Sequence, residues 1–133
     1  MFVDASAIVA ILNRESQADA FADAIEGSGA AVTSAIAIFE AALGLCRIRH
    51  ASVEEATADV EEFLGVAGIR CVLIGSEEAL TALAAFARYG KGRGHPAQLN
   101  LGDCFAYAVA RSQGVPLLFK GDDFSKTDID SAV

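Results

Sequence analysis

The sequence predicts an α/β domain built on a mainly parallel central sheet. Short apolar runs alternate with longer segments of helical periodicity, which is how successive β–α units read. With 133 residues, 53% of them hydrophobic and 21% charged, the chain holds enough apolar material for one domain spanning residues 1–133. Acidic residues also border or interrupt the apolar segments, at Asp4, Glu40, Asp103 and the Asp122-Asp123 pair. In an open α/β sheet, groups just past the strand C-termini line the ligand crevice.

The elements follow in order. Residues 1–3 make a minimal first strand, and residues 5–13 a helix with Ile8, Ala10, Ile11 and Leu12 available for burial. Residues 16–26 read as a second helix, with Ala20, Phe21, Ala24 and Ile25 on its apolar side and a glycine-rich end at residues 27–29. A strand is expected over residues 30–33. Ser34 then caps a helix running to about His50, expected to be buried on most of its circumference because residues 35–45 are apolar apart from Glu40 and Gly44.

Ser52 opens a helix whose Glu54, Glu55, Asp59, Glu61 and Glu62 form a solvated acidic face. Residues 69–74 are a β-branched strand, and an alanine-rich helix follows from Ser76 to the Tyr89-Gly90 step. The glycine-rich loop over residues 90–96 leads to a helix at residues 101–113 and a last strand at residues 117–119.

Composition narrows the function. A formal net charge of −8 argues against bulk electrostatic attraction to nucleic acid, although a bound cation or a local basic loop reverses the field at one site. The longest uncharged stretch, residues 27–39, is too short to span a bilayer, and the apolar opening is interrupted by Asp4, unlike a secretion signal. Cys46, Cys71 and Cys104 are odd in number, lack C-x-x-C spacing and sit in apolar surroundings. They read as buried free thiols in a cytoplasmic protein with no membrane segment.

Each acid has two readings. Glu40 interrupts an apolar helix, where an ionised carboxylate costs several kcal/mol unless it is paired, for example with Arg47, or binds a metal. Asp4 suits a helix N-cap or a ligand crevice, and Ser6 suits a cap or a water-holding role. The Asn100–Asp103 spacing fits a capping box, and Gly121-Asp122-Asp123 fits an ordinary turn. Gathered together, carboxylates repel by roughly 4 kcal/mol per pair at ~4 Å and an effective dielectric of about 20. Such a cluster calls for a hard cation, Mg²⁺ with Mn²⁺ as substitute, and suggests phosphodiester hydrolysis. Lys91 and Arg93 lie in an acid-free loop that could track phosphates or simply be solvated, and Lys120 could pair with an acid or contact phosphate.

The segments FVDASAIVAIL, AIAIFEAALGL, YGKGRGHPAQLNLGDCFAYAVA and LLFKGDDFSKTDI together resemble the PIN-domain ribonucleases, particularly the VapC toxins of bacterial toxin–antitoxin pairs. The resemblance spans nearly the whole chain in order and spacing. It implies a three-layer α/β/α domain and Mg²⁺-dependent endonuclease action on RNA, leaving 5′-phosphate and 3′-hydroxyl ends. By the same resemblance Asp4 and Asp103 match the principal metal ligands, Glu40 the third acid and Asp123 the fourth. Ser6 matches a small hydroxyl residue beside the first acid, and Asp122 occupies a more variable position; Asn100, from its cap spacing, is a further supporting candidate. A small antitoxin protein and a homodimer are implied partners, and RNA the substrate. Two rivals remain open: a non-catalytic interaction module on the same fold, and a phosphatase or phosphoacceptor domain. The latter lacks both an early Asp-x-Asp and an acid after the strand at residues 69–74.

Overall fold

The computed structural model describes residues 1–133. Four short strands, β1 (Phe2–Val3), β2 (Val32–Ser34), β3 (Arg70–Val72) and β4 (Leu117–Leu118), form one sheet in the order β3-β2-β1-β4. Every pairing is parallel, with Phe2 opposite both Val32 and Leu117, and Ser34 opposite Val72. Parallel strands need crossovers, and six helices supply them: α1 (Ala5–Leu12), α2 (Ala18–Ser28), α3 (Ala35–Arg49), α4 (Val53–Ala67), α5 (Ser76–Tyr89) and α6 (Leu101–Gln113). A single 3₁₀ turn follows β4 at Phe124–Lys126.

Phe2, Val3, Leu117 and Leu118 are fully buried, so the two central strands are covered on both faces. They belong to one apolar cluster with Ile8 of α1, Leu45 of α3, Val60 of α4 and Val109 of α6. Full burial of side chains this size stabilises by about 1.5–3 kcal/mol each. Thr33 is buried too, and its hydroxyl donates to the Val3 carbonyl at 2.8 Å, tying β2 to β1 beside the ladder. The chain end folds back along β4: Leu117 N–H donates to Asp130 O and Ala132 N–H to Leu117 O.

The expected capping signals set the helix starts. Ser34 accepts from Ala37 N–H, and Ser52 forms a full capping box with Glu55. The acidic outer face of α4 is solvated, apart from Asp59, which pairs with Arg49 at 3.1 Å.

Several expectations are corrected. Strand β3 covers only residues 70–72 of the expected 69–74, because its partner β2 offers three residues to pair with and Leu73 is 92% exposed beyond them. The last strand likewise stops at Leu118, and Phe119 turns to stack edge-on against Phe124 at 5.1 Å. Strand β2 and helix α2 begin two residues later than expected, and Ala20 is exposed. Helix α3 is not buried all round: Ala37, Ala41, Gly44 and Leu45 face the core, while Phe39 is 65% exposed. Of the three thiols only Cys104 is buried; Cys46 is half-buried and Cys71 exposed on the edge strand.

Candidate active site

A cleft of about 320 Å³ opens where the C-terminal end of β1 meets α3 and α6, and Asp4, Glu40 and Asp103 all line it. Each arrives from a different element, and each is placed by local backbone chemistry.

Asp4 follows directly on β1 and is the N-cap of α1. Its Oδ2 accepts from Ser6 N–H at 3.0 Å and from the Ser6 hydroxyl at 2.5 Å. The Ser6 oxygen in turn accepts from Lys120 N–H at 3.0 Å, just past β4. Because that bond occupies a lone pair of the hydroxyl, its one proton is directed to Asp4. Asp4 is only 4% exposed, and this burial raises its pKa against the Ser6 hydrogen bonds that lower it.

Asp103 is the third residue of α6 and completes a capping box with Asn100. Asn100 N–H donates to Asp103 Oδ2 at 3.0 Å, and Asp103 N–H donates to Asn100 Oδ1 at 2.9 Å. Partial burial pushes the Asp103 carboxyl up to about 6; the Asn100 hydrogen bond opposes this, and the charges of Asp4 and Asp123 reinforce it.

Glu40 reaches the cleft from the middle of α3, resting on the backbone of Gly102 one residue before Asp103. Burial, then the charges of Asp4 and Asp103, push its carboxyl up to about 7, while Arg47 pulls the other way. These mutual effects place the three acids, with Asp123 beside Asp103, within one electrostatic neighbourhood.

The remaining candidates separate. Asp123, expected as the fourth acid, is exposed at the start of the 3₁₀ turn and lies outside the cleft lining, with its charge acting weakly on Asp103. Asp122 is exposed, lies outside the cleft lining, and lends its carbonyl to the Ser125 hydroxyl. Asn100 spends its side-chain oxygen on capping. Lys120 lines the cleft, and its ammonium is ion-paired with Glu15. Lys91 and Arg93 are exposed on the loop before α6, do not line the cleft, and Arg93 lies over the Phe86 ring at 5.9 Å. The cleft also contains Glu15 and, as a wall residue, Arg47. Glu15 sits beyond the end of α1 and carried no sequence signal; Arg47 could be found as the residue two helical turns after Glu40.

No three acidic, cysteine or histidine side chains converge into a closed ligand shell. The arrangement is a set of acids around a cleft. The donors are all carboxylate oxygens held toward their protonated forms, chiefly by burial and, at Glu40 and Asp103, also by neighbouring negative charge. This set fits a hard divalent cation, which would supply the missing positive charge.

Comparison with known proteins gives a consistent result. The family model of the PIN domain matches residues 1–130. The chain is 42% identical over 139 aligned positions to a VapC ribonuclease of Rhizobium meliloti (strain 1021), covering 96% of this chain and 98% of that protein. It is 43% identical over 130 positions to ribonuclease VapC42 of Mycobacterium tuberculosis, covering 97% and 96%. The fold is similar to the crystal structure of Mycobacterium tuberculosis VapC20, a sarcin-ricin loop cleaving toxin, with a TM-score of 0.75 over 96% of this chain and 95% of that one. At 17% identity that last likeness concerns the fold alone.

Proposed function

We propose that this chain, which belongs to the PIN-domain family, is a VapC-type endoribonuclease, the toxin of a toxin–antitoxin pair. The observation that carries the reading is the meeting of Asp4, Glu40 and Asp103, from three separate elements, in one cleft. The VapC ribonucleases at 42–43% identity over almost the whole chain support it.

Asp4 and Asp103 would hold a divalent cation, Mg²⁺ with Mn²⁺ as substitute, and Glu40 and Asp123 would complete its surroundings. When bound, such a cation polarises a phosphoryl oxygen and makes water a stronger nucleophile at neutral pH. The chain's own residues prepare the site for it. Ser6 fixes one oxygen of Asp4, since that oxygen takes both Ser6 hydrogen bonds. Asn100 fixes the Asp103 carboxylate in the same way through its backbone N–H. Glu40, titrating near neutrality before a cation arrives, is the acid suited to hold or release a proton.

The partners follow from the same reading: RNA as substrate, a small antitoxin protein as inhibitor, and a homodimer in the cytoplasm. No helix is long and apolar enough to cross a membrane.

The test is incubation of antitoxin-free protein with total RNA and Mg²⁺ or Mn²⁺, beside EDTA and identically purified Asp103→Asn controls. Discrete cleavage confined to the parent protein is the expected result. Equal cleavage by the variant, or none by well-folded, metal-loaded parent, would overturn it.

A further inference from the structure

We propose that Arg47 receives a non-bridging phosphate oxygen of the RNA backbone beside the carboxylates, an inference that rests on the ribonuclease reading above. The cleft presents four carboxylates, Asp4, Glu15, Glu40 and Asp103, against two cations, Arg47 and Lys120. One divalent cation brings the formal charge of this lining to zero and no further, so by itself it leaves an entering polyanion no net attraction. Some cation of the wall must therefore hold the strand.

Lys120 is already engaged, its ammonium paired with Glu15. Arg47 has no such partner. The chain's salt bridges use Arg49, Arg88, Arg111 and Lys120, and no side-chain hydrogen bond involves Arg47. Its guanidinium keeps five N–H donors in a fork that matches phosphate geometry.

Its position on α3 suits that task. Glu40, Gly44 and Arg47 recur at i, i+4 and i+7, so one face of the helix carries the acid, a bare step and the cation in succession. A β-carbon at Gly44 would come to 3.0 Å from Val9 Cγ2, so α1 packs closely on α3 there and the step between Glu40 and Arg47 carries no side chain of α3 itself, only the apolar Val9 of α1. Seven residues of helix rise about 10 Å. Arg47 thus acts next to the acids rather than among them, and takes the phosphate flanking the one they address. Glu40 and Arg47 both line the cleft.

The competing role is structural. Arg47 and Arg49 both lie in the last turn of α3, where cations complement the helix dipole. Arg49 fills a structural role visibly, bonding Asp59 and the Leu12 carbonyl. A dipole role for Arg47 would leave the salt dependence of RNA binding unchanged.

The experiment measures binding of a short labelled single-stranded RNA to the full chain carrying Asp103→Asn, across a KCl series. Arg47→Gln, Arg47→Lys and Arg70→Gln are each added to that background; Arg70 is exposed on β3 and does not line the cleft. Arg47→Gln should weaken binding about fivefold or more at low salt. It should also reduce the slope of log affinity against log salt by about 0.7, the value for one single-strand phosphate contact. Arg47→Lys should keep the slope, and Arg70→Gln should leave it unaltered. A slope for Arg47→Gln equal to that for Arg70→Gln overturns the proposal. Cleavage by the parent protein separates the two failures: an active parent with an unchanged slope refutes Arg47 alone, and an inactive parent refutes the ribonuclease reading and this inference with it.

Discussion

The carboxylate of Glu40 occupies the space that a side chain at residue 102 would need: a β-carbon built on Gly102 would overlap both oxygens and the carbon between them. Glycine at that position is what lets an acid on α3 lie against the first turn of α6, beside Asp103. Gly102→Ala therefore displaces the far end of a flexible side chain and little else. Cleavage should fall about 10- to 100-fold, as for other misplacements of about 1 Å. The melting temperature should hold or rise slightly, because alanine favours a helix over glycine by up to ~1 kcal/mol. A Gly102→Ala protein as active as the parent would remove Glu40 from the reaction.

Titration gives a second prediction. Glu40 at about 7 and Asp103 at about 6 both lie above their ordinary carboxylate values, so the fold favours their protonated forms. Their contribution to stability is fully present below about pH 4, and is lost as pH rises through about 6 and then about 7. Asp128 has the opposite sign. The Tyr107 and Tyr89 hydroxyls and Arg111 hold its pKa down, and its contribution is lost in acid. The metal-free protein should thus melt highest near pH 5 and progressively lower toward pH 8, with Mg²⁺ restoring stability at the alkaline end. A melting series with and without Mg²⁺ checks this; Glu40→Gln should flatten the slope, and a rise in melting temperature from pH 5 to pH 8 without metal would contradict it.

Asp4→Asn and Asp103→Asn should each reduce cleavage at least 100-fold while leaving the protein folded, because an amide keeps a capping oxygen and loses only the charge. In Asp4→Asn the amide oxygen can accept both Ser6 hydrogen bonds, so the cap of α1 survives. Without metal at pH 8, both variants should melt no lower than the parent, since a repelling charge has gone. Circular dichroism melts and single-turnover cleavage report the two effects separately.

Asp128 lies outside the cleft lining and predicts a different outcome. Its Oδ1 accepts from the Tyr107 hydroxyl at 2.6 Å and the Tyr89 hydroxyl at 3.0 Å, and its Oδ2 lies 3.6 Å from Arg88 and 3.5 Å from Arg111. This one carboxylate fastens the chain after β4 to both α5 and α6. Asp128→Ala should cost about 2 kcal/mol and lower the melting temperature by roughly 6–10 °C. Cleavage per folded molecule should be retained below the transition.

What could be read from the sequence follows how local each determinant is. Helix α6 is legible in the sequence at about residues 101–113, because the Asn100–Asp103 spacing is a local signal three residues long, and the structure shows that pair closing its capping box. Ser34 and Ser52 were legible for the same reason. Strand lengths were not, since residues 69–74 look equally β-forming and only the neighbouring strand decides how many pair. The acids could be nominated one by one, but the capping role of Asn100 and the cleft role of Glu40 were left open. Whether Glu40 turns inward depends on the missing side chain at residue 102, far along the chain. The Lys120–Glu15 pair and the Asp128 hub join residues remote in sequence, and neither had any local signature.

The sheet order has one more consequence, for timing. Strand β1 opens the chain, yet its second neighbour is β4, and Ser6 beside Asp4 takes its backbone donor from Lys120. Until the stretch from Leu117 onward has been synthesised and docked, Asp4 lacks its finished surroundings and Asp123 does not yet exist. On the ribonuclease reading proposed above, neither half of the molecule, produced alone, would hold the complete cleft or cut.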